Sequence, residues 1–113
     1  MMTPNIFTTK VVGVSFCKDY PQSIFSISAS VAIGKVSLEL ERDLDNQYDP
    51  NAIKVNSQGI MIGYLPMFIS RVLAKEIDNG TNWSAEVDSV LVSTENVDQP
   101  GLKITVWRND ENK

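Results

Sequence analysis

The sequence predicts a mostly β domain with one main helix, a β-rich α+β fold rolled into a small closed or partly open barrel with the helix plugging one end. Three observations predict it. Short β-branched and aromatic runs recur along the chain, separated by clusters of Gly, Pro, Asn, Asp and Ser. One stretch, Pro66 to Asp78, carries a helical apolar period and ends in Asn79-Gly80. The chain has 113 residues, enough to bury one core. A single domain is therefore expected over 1–113, with its core at about 10–108 and a frayed tail at 109–113.

Taken in order, Lys10 to Cys17 (KVVGVSFC) reads as a strand, with Gly13 marking a bulge, a bend or a close backbone approach. Lys18 to Pro21 reads as a turn. Gln22 to Ile33 fits two periods. Phe25, Ile27, Ala29, Val31 and Ile33 alternate, while Ile24, Ile27 and Val31 keep helical spacing. A short helix or turn in its first half, then an extended lead into Gly34, is the expectation.

Lys35 to Arg42 alternates cleanly as a half-buried strand, and Asp43 to Asn51 (DLDNQYDPN) is a dense turn. Ala52 to Val55 and Ile60 to Leu65 read as strands joined by a hairpin turn at Asn56 to Gly59. In the helix from Pro66, the stripe Ile69, Val72, Leu73 and Ile77 is expected to face the core. Asn82 to Ser93 and Leu102 to Trp107 read as strands around a loop at Asn96 to Gly101. No internal repeat, linker or low-complexity tract is present.

Hydrophobic residues make up 42% and charged residues 21%, ordinary for an ordered globular chain. Ten basic residues stand against 14 acidic ones, for a net charge of -4. That argues against broad, non-specific nucleic-acid binding, yet a strand end or a single phosphate meets only a few side chains. The lone Cys17 rules out an internal disulfide and suits a reducing compartment. Residues 1–9 lack the basic and apolar regions of a signal peptide, and no apolar run approaches the roughly 20 residues of a membrane span. A cytoplasmic protein without a membrane partner is expected.

With no histidine and one cysteine, the common zinc sites and the Ser-His or Cys-His nucleophiles are excluded. Neither phosphate-binding glycine motif occurs. Asp43, Asp45 and Asp49 lack the Gly and distal Glu of a calcium loop, so a solvated turn is expected rather than a metal site. No cofactor is expected, nor is an enzyme, since nothing singles out a catalytic carboxylate pair.

The informative segment is Asn46 to Val55 (NQYDPNAIKV), followed by Gly63-Tyr64-Leu65-Pro66. Tyr48 is a large aromatic in a polar turn, so it either caps the core or offers its ring to a ligand. Asp49 precedes a proline, which biases its backbone towards extended. Its carboxylate can accept hydrogen bonds from turn amides or from a ligand hydroxyl, and Asn51 can tie the loop to itself.

The pattern N-x-Y-D-x-N-A-I-x-V, a hairpin, then I-G-Y-L-P and a helix resembles the HIRAN domain signature. The upstream V-V-G-V-S-F and the L-E-L-E-R strand fit it too, so the resemblance covers roughly Lys10 to Val92. It implies a modified OB-like β-barrel, here as a small stand-alone member of bacterial or phage type. HIRAN domains occur fused to helicase-like translocases and nucleases, which implies a helicase or nuclease as a possible partner protein.

The best understood members grip the free 3′ end of single-stranded DNA. On that resemblance, Phe16 and Tyr48 would flank the terminal bases, Asp49 would take the 3′-hydroxyl, and Asn46 would lie near the site. Tyr64 would stand at a phosphate-contact position. Two departures weaken the phosphate grip: Ser15 stands where an arginine can occur, and Met67 where a lysine does. Arg71, Arg42 and Lys54 are candidate substitutes, each otherwise a solvated surface charge.

The expected function is a non-enzymatic nucleic-acid-binding module recognising single-stranded DNA 3′ ends in DNA repair or processing. A protein-interaction or assembly module that keeps this fold without DNA binding is the alternative, motivated by the acidic balance and the missing cations, with an exposed strand edge such as Leu102 to Trp107 to pair with a partner or second copy. An enzyme or small-molecule binder would rest only on the unexplained carboxylates.

Overall fold

In the computed structural model, which describes residues 5–14, 17–92 and 100–109, six strands form one antiparallel sheet in the order β1-β6-β5-β2-β3-β4. The strands are β1 (Ile6–Lys10), β2 (Ser37–Arg42), β3 (Ile53–Ser57), β4 (Ile60–Tyr64), β5 (Trp83–Leu91) and β6 (Gly101–Arg108). Two helices, α1 (Tyr20–Val31) and α2 (Met67–Asp78), interrupt them. The β-rich class stands. The sheet curls like an open barrel rather than a closed one.

The first strand lies ahead of the Lys10–Cys17 position that composition suggested. β1 pairs with β6 from Ile6↔Trp107 to Lys10↔Lys103, which extends the core in front of Lys10. The chain then leaves that edge. The Val11 amide still donates to the Leu102 carbonyl on β6 (2.9 Å), but Val12 exchanges two backbone hydrogen bonds with Tyr64 on β4 (2.9 and 2.8 Å). Adjacent residues thus bond to β6, next to one edge of the open sheet, and to β4, its other edge. Gly13 follows at φ +73°, the bend that a glycine permits.

Gly63 makes this crossing possible. A Cβ placed there would lie 2.4 Å from Val11 Cγ1 and 2.7 Å from the Val12 carbonyl oxygen. Only a residue without a side chain admits the neighbouring backbone so closely.

Over Gln22–Ile33 the helical period prevails. α1 runs through to Val31, so the expected extended lead into Gly34 is replaced by helix and a closing turn. The face Tyr20, Ile24 and Ile27 is buried, with Val31 packed against it, and that burial outweighs the β propensity of the alternating residues. Phe25, one of those residues, points outward. The fully buried Tyr20 donates its hydroxyl proton to the Pro100 carbonyl.

The β3–β4 hairpin is tighter than expected. Asn56 and Ser57 belong to β3, with a register shift between Val55 and Asn56. The turn is Gln58-Gly59, both at positive φ (53° and 80°), the two-residue form that matches strand twist. In α2, Ser70, Leu73 and Ala74 are buried and Ile69 and Ile77 pack against the core, but Val72 from the expected stripe faces outward. The buried side of the helix thus centres on Ser70, Leu73 and Ala74.

The Leu102–Trp107 segment is not an edge. β6 is paired on both sides, with β1 and with β5, and Leu102, Ile104 and Val106 are fully buried. The loop expected over Asn96–Gly101 and the tail from 110 onwards fall largely outside the described residues, apart from Pro100 and Gly101, where β6 begins.

Candidate nucleic-acid interface

The loop between β2 and β3 is held by its own side chains. Asn46 Oδ1 accepts hydrogen bonds from the amides of Tyr48 and Asp49, both at 2.8 Å. Asn46 Nδ2 donates to Asp43 Oδ2 (3.3 Å). Asp49 Oδ1 accepts from the Asn51 amide (2.9 Å), an Asx turn within the loop. Backbone bonds from Asp43 N to Ala52 O (3.0 Å) and from Ala52 N to Asp49 O (3.1 Å) close its base.

Two further contacts brace the loop, one to β4 and one to α2. Tyr64, two residues before Pro66, donates its hydroxyl proton to Asp43 Oδ2 (2.9 Å). Arg42 spans the other side. Its Nε donates to Asp78 Oδ1 (3.0 Å), while NH1 and NH2 donate to the carbonyls of Ala52 (2.8 Å) and Pro50 (3.0 Å). The planar fork suits this three-way contact, which lysine could not make.

Asp43 is the hub of the arrangement. Burial acts to raise its carboxyl, but hydrogen bonds from Tyr64 and Asn46 and the charge of Lys54 leave it below the usual carboxylate range. The Tyr64 hydroxyl is pushed up by burial and by the Asp43 carboxylate it serves.

Tyr48 is left out of this network. Its ring is 93% exposed on a loop whose backbone is tied on both sides of it. Core capping, one of its two expected roles, is therefore excluded. Asp49 is half-buried, and its Oδ2 accepts no hydrogen bond from a described residue. Tyr48 and Asp49 thus share a fixed turn, one offering a ring face and the other a carboxylate oxygen.

The remaining candidates divide. Asn46 shapes the loop through both ends of its amide. Tyr64 supports the loop from beneath and spends its proton on Asp43. Arg71 lies exposed on α2, four residues after the exposed Met67, and makes no ion pair with a described residue. Arg42 is a structural clamp, and Lys54 pairs with Glu41 (3.7 Å), so neither is a free phosphate cation. Phe16 and Ser15 lie outside the described residues. Among the described residues no group of three or more His, Cys, Asp or Glu side chains is placed to hold a metal ion. No described helix is long and apolar enough to cross a membrane.

The roles of Asp43 and Arg42 escaped the sequence. Asp43 sits in a turn rich in acids, and nothing in its spacing marks which one meets Tyr64. That meeting requires the hairpin to return β4 alongside β3.

An open six-stranded sheet, two helices and a self-bonded polar loop presenting one bare aromatic define a small β-rich module. The HIRAN domain family model matches residues 5–107. The chain belongs to the HIRAN domain family. It is 36% identical over 76 residues to the helicase-like transcription factors of rabbit (Oryctolagus cuniculus) and human, a match covering 66% of this chain and 7% of theirs. The chain thus corresponds to a small fraction of those relatives. Among solved structures, the HIRAN domain of human HLTF aligns with a TM-score of 0.64 and 26% identity, covering 96% of this chain and 79% of that one. A Lactobacillus plantarum protein aligns with a TM-score of 0.63 and 26% identity, over 89% of each chain.

Proposed function

We propose that this chain is a non-enzymatic nucleic-acid-binding module that takes the 3′ end of single-stranded DNA during DNA repair or processing. The carrying observation is Tyr48, whose ring is bare to solvent on a loop already immobilised by Asn46, Asp43 and Arg42. A ring held this way loses little freedom on stacking against a base, so more of the roughly 1–3 kcal/mol of a base–aromatic contact is retained as affinity. Asp49 Oδ2 is the acceptor for the terminal 3′-hydroxyl, and Phe16 supplies the second aromatic face that the family resemblance implies.

The phosphate grip is weak. Met67 brings no charge, Arg42 and Lys54 are committed to carboxylates, and Arg71 is an exposed α2 cation without a described ion pair. Helical geometry puts Arg71 on the same side as Asp78, the residue that Arg42 links to Pro50, which follows Asp49 in the loop. Affinity in the micromolar range or weaker follows, with a shallow salt dependence of about 0.7 in the logarithmic slope per phosphate held. In the cytoplasm, where the buried Cys17 thiol stays reduced, such a module would act beside a helicase or nuclease.

Fluorescence anisotropy with a labelled single strand tests this, comparing wild type, Tyr48→Ala and Asp49→Ala on free and 3′-phosphorylated ends. Binding that needs the free hydroxyl and falls with both substitutions is expected. Equal affinity for both ends would remove Asp49 from its role, and no binding at low salt would overturn the proposal. The assembly-module alternative keeps the acidic balance and missing cations that motivate it, but Leu102–Trp107 is not the edge it would use, since β6 is internal.

A further inference from the structure

α2 buries one side against the sheet and leaves the other bare. Phe68, Arg71, Val72 and Lys75 stand at spacings of three, four and seven, so they form one outward face. Phe68 is 67% exposed and Val72 45%, and both cations are exposed. Arg71 and Lys75 make no ion pair with a described residue, whereas Arg42, Lys54 and Arg108 are each matched to a carboxylate. In a chain of net charge -4, Phe68 thus stands beside two exposed cations that pair with no described carboxylate.

The occupant that complements this face carries negative charge at intervals and flat apolar surfaces between. A single nucleic-acid strand has that pattern, since bases stack on an aromatic ring while phosphates meet the cations beside it. A helical acidic peptide needs a groove for its apolar face, and a single convex helix offers none. The C-terminal end of α2 is tied to the Tyr48 loop through Arg42, which bonds both Asp78 and the Pro50 carbonyl. Arg71 belongs both to the outward face and to the side of α2 that Asp78 and Arg42 link to the Tyr48 loop.

We propose that this face is a second strand-binding subsite, in which Phe68 stacks on a base upstream of the terminal nucleotide and Lys75 with Arg71 holds the adjoining phosphates. The inference rests on the strand-binding proposed above and extends it from one end to a longer footprint. Short strands then use the Tyr48 loop alone, and long strands use both.

Anisotropy with a trinucleotide and a dodecanucleotide, each with its 3′ end free and blocked, separates the two ideas. Wild type should bind the longer strand more tightly. Phe68→Ala should weaken the longer strand about 5- to 150-fold, the equivalent of one lost base stack, and leave the trinucleotide unchanged. Lys75→Gln should reduce the salt slope on the longer strand only. Both side chains are exposed, so circular dichroism should show unchanged folding. Tyr48→Ala should weaken both strands.

Loss with Tyr48→Ala but none with Phe68→Ala or Lys75→Gln would overturn the subsite and leave the end site standing. Tight, Phe68-dependent binding of the blocked dodecanucleotide would keep the subsite and overturn end recognition. No binding of either strand, with self-association in sedimentation that Phe68→Ala abolishes, would assign the face to a second copy and overturn both.

Discussion

Gly63→Ala tests how the open sheet is held together. The added Cβ would lie 2.4 Å from Val11 Cγ1 and 2.7 Å from the Val12 carbonyl oxygen. The valine methyl can turn away, but the carbonyl cannot move without losing the bond it accepts from the Tyr64 amide (2.8 Å), and its partner from Val12 N to Tyr64 O (2.9 Å) goes with it. Two backbone hydrogen bonds contribute about 1–3 kcal/mol together. Overpacking at a buried position adds about 1–3 kcal/mol. A loss of about 2–6 kcal/mol is therefore expected, a large part of the roughly 5–15 kcal/mol that holds a small domain folded. Urea unfolding followed by tryptophan fluorescence measures it through the midpoint. The double variant Val11→Ala/Gly63→Ala decides the cause. If the carbonyl is the obstacle, the two losses add. If the double variant is as stable as Val11→Ala alone, the methyl was the obstacle. A Gly63→Ala protein within about 0.5 kcal/mol of wild type would refute the reasoning altogether.

Other substitutions probe the loop and the core. Tyr48→Ala should leave the unfolding midpoint within the roughly 0.5 kcal/mol typical of surface changes, because its ring buries almost nothing, while removing strand binding. Asn46→Ala deprives the Tyr48 and Asp49 amides of their acceptor, so hydrogen exchange there should accelerate and stability fall by about 1–3 kcal/mol. Arg42→Lys should lower thermal stability more than Asp78→Asn does. In the first case the Pro50 carbonyl loses its side-chain donor and the Ala52 carbonyl keeps only the Asp43 amide, while the half-exposed ion pair alone contributes about 0–1 kcal/mol. Burial first, and Cys17 second, push the Tyr20 hydroxyl up from 10.0 to about 12. A folded pKa raised above the unfolded one gives stability that is present below pH 10 and lost as pH climbs towards about 12. Tyr20→Phe should flatten that alkaline loss, measured as urea midpoint against pH, and cost about 0.5–1.5 kcal/mol near neutrality through the lost Pro100 contact.

The β-rich class, the polar loop and the second helix were legible in the sequence because each is written in local chemistry. Alternation over Ser37–Arg42 needs only the pleat of a strand, and the turn formers of Asp43–Asn51 need only their own side chains. The HIRAN motif residues could be named for the same reason. What tertiary structure decided is which surface each segment met. Gln22–Ile33 satisfied two periods, and the core chose the helix by burying Tyr20, Ile24 and Ile27. Leu102–Trp107 has the composition of either an edge or a central strand, and only pairing with both β1 and β5 placed it inside. Val72 has the right spacing for the core stripe, but the fold buries Ser70, Leu73 and Ala74 and leaves Val72 outside. Arg42 reads as a surface charge until the fold brings Asp78 and the Pro50 and Ala52 carbonyls around it. Contacts between residues distant in the chain carry no local pattern. Sequence alone therefore specified which residues could offer a ring or a carboxylate, and packing determined that the Tyr48 ring stays bare.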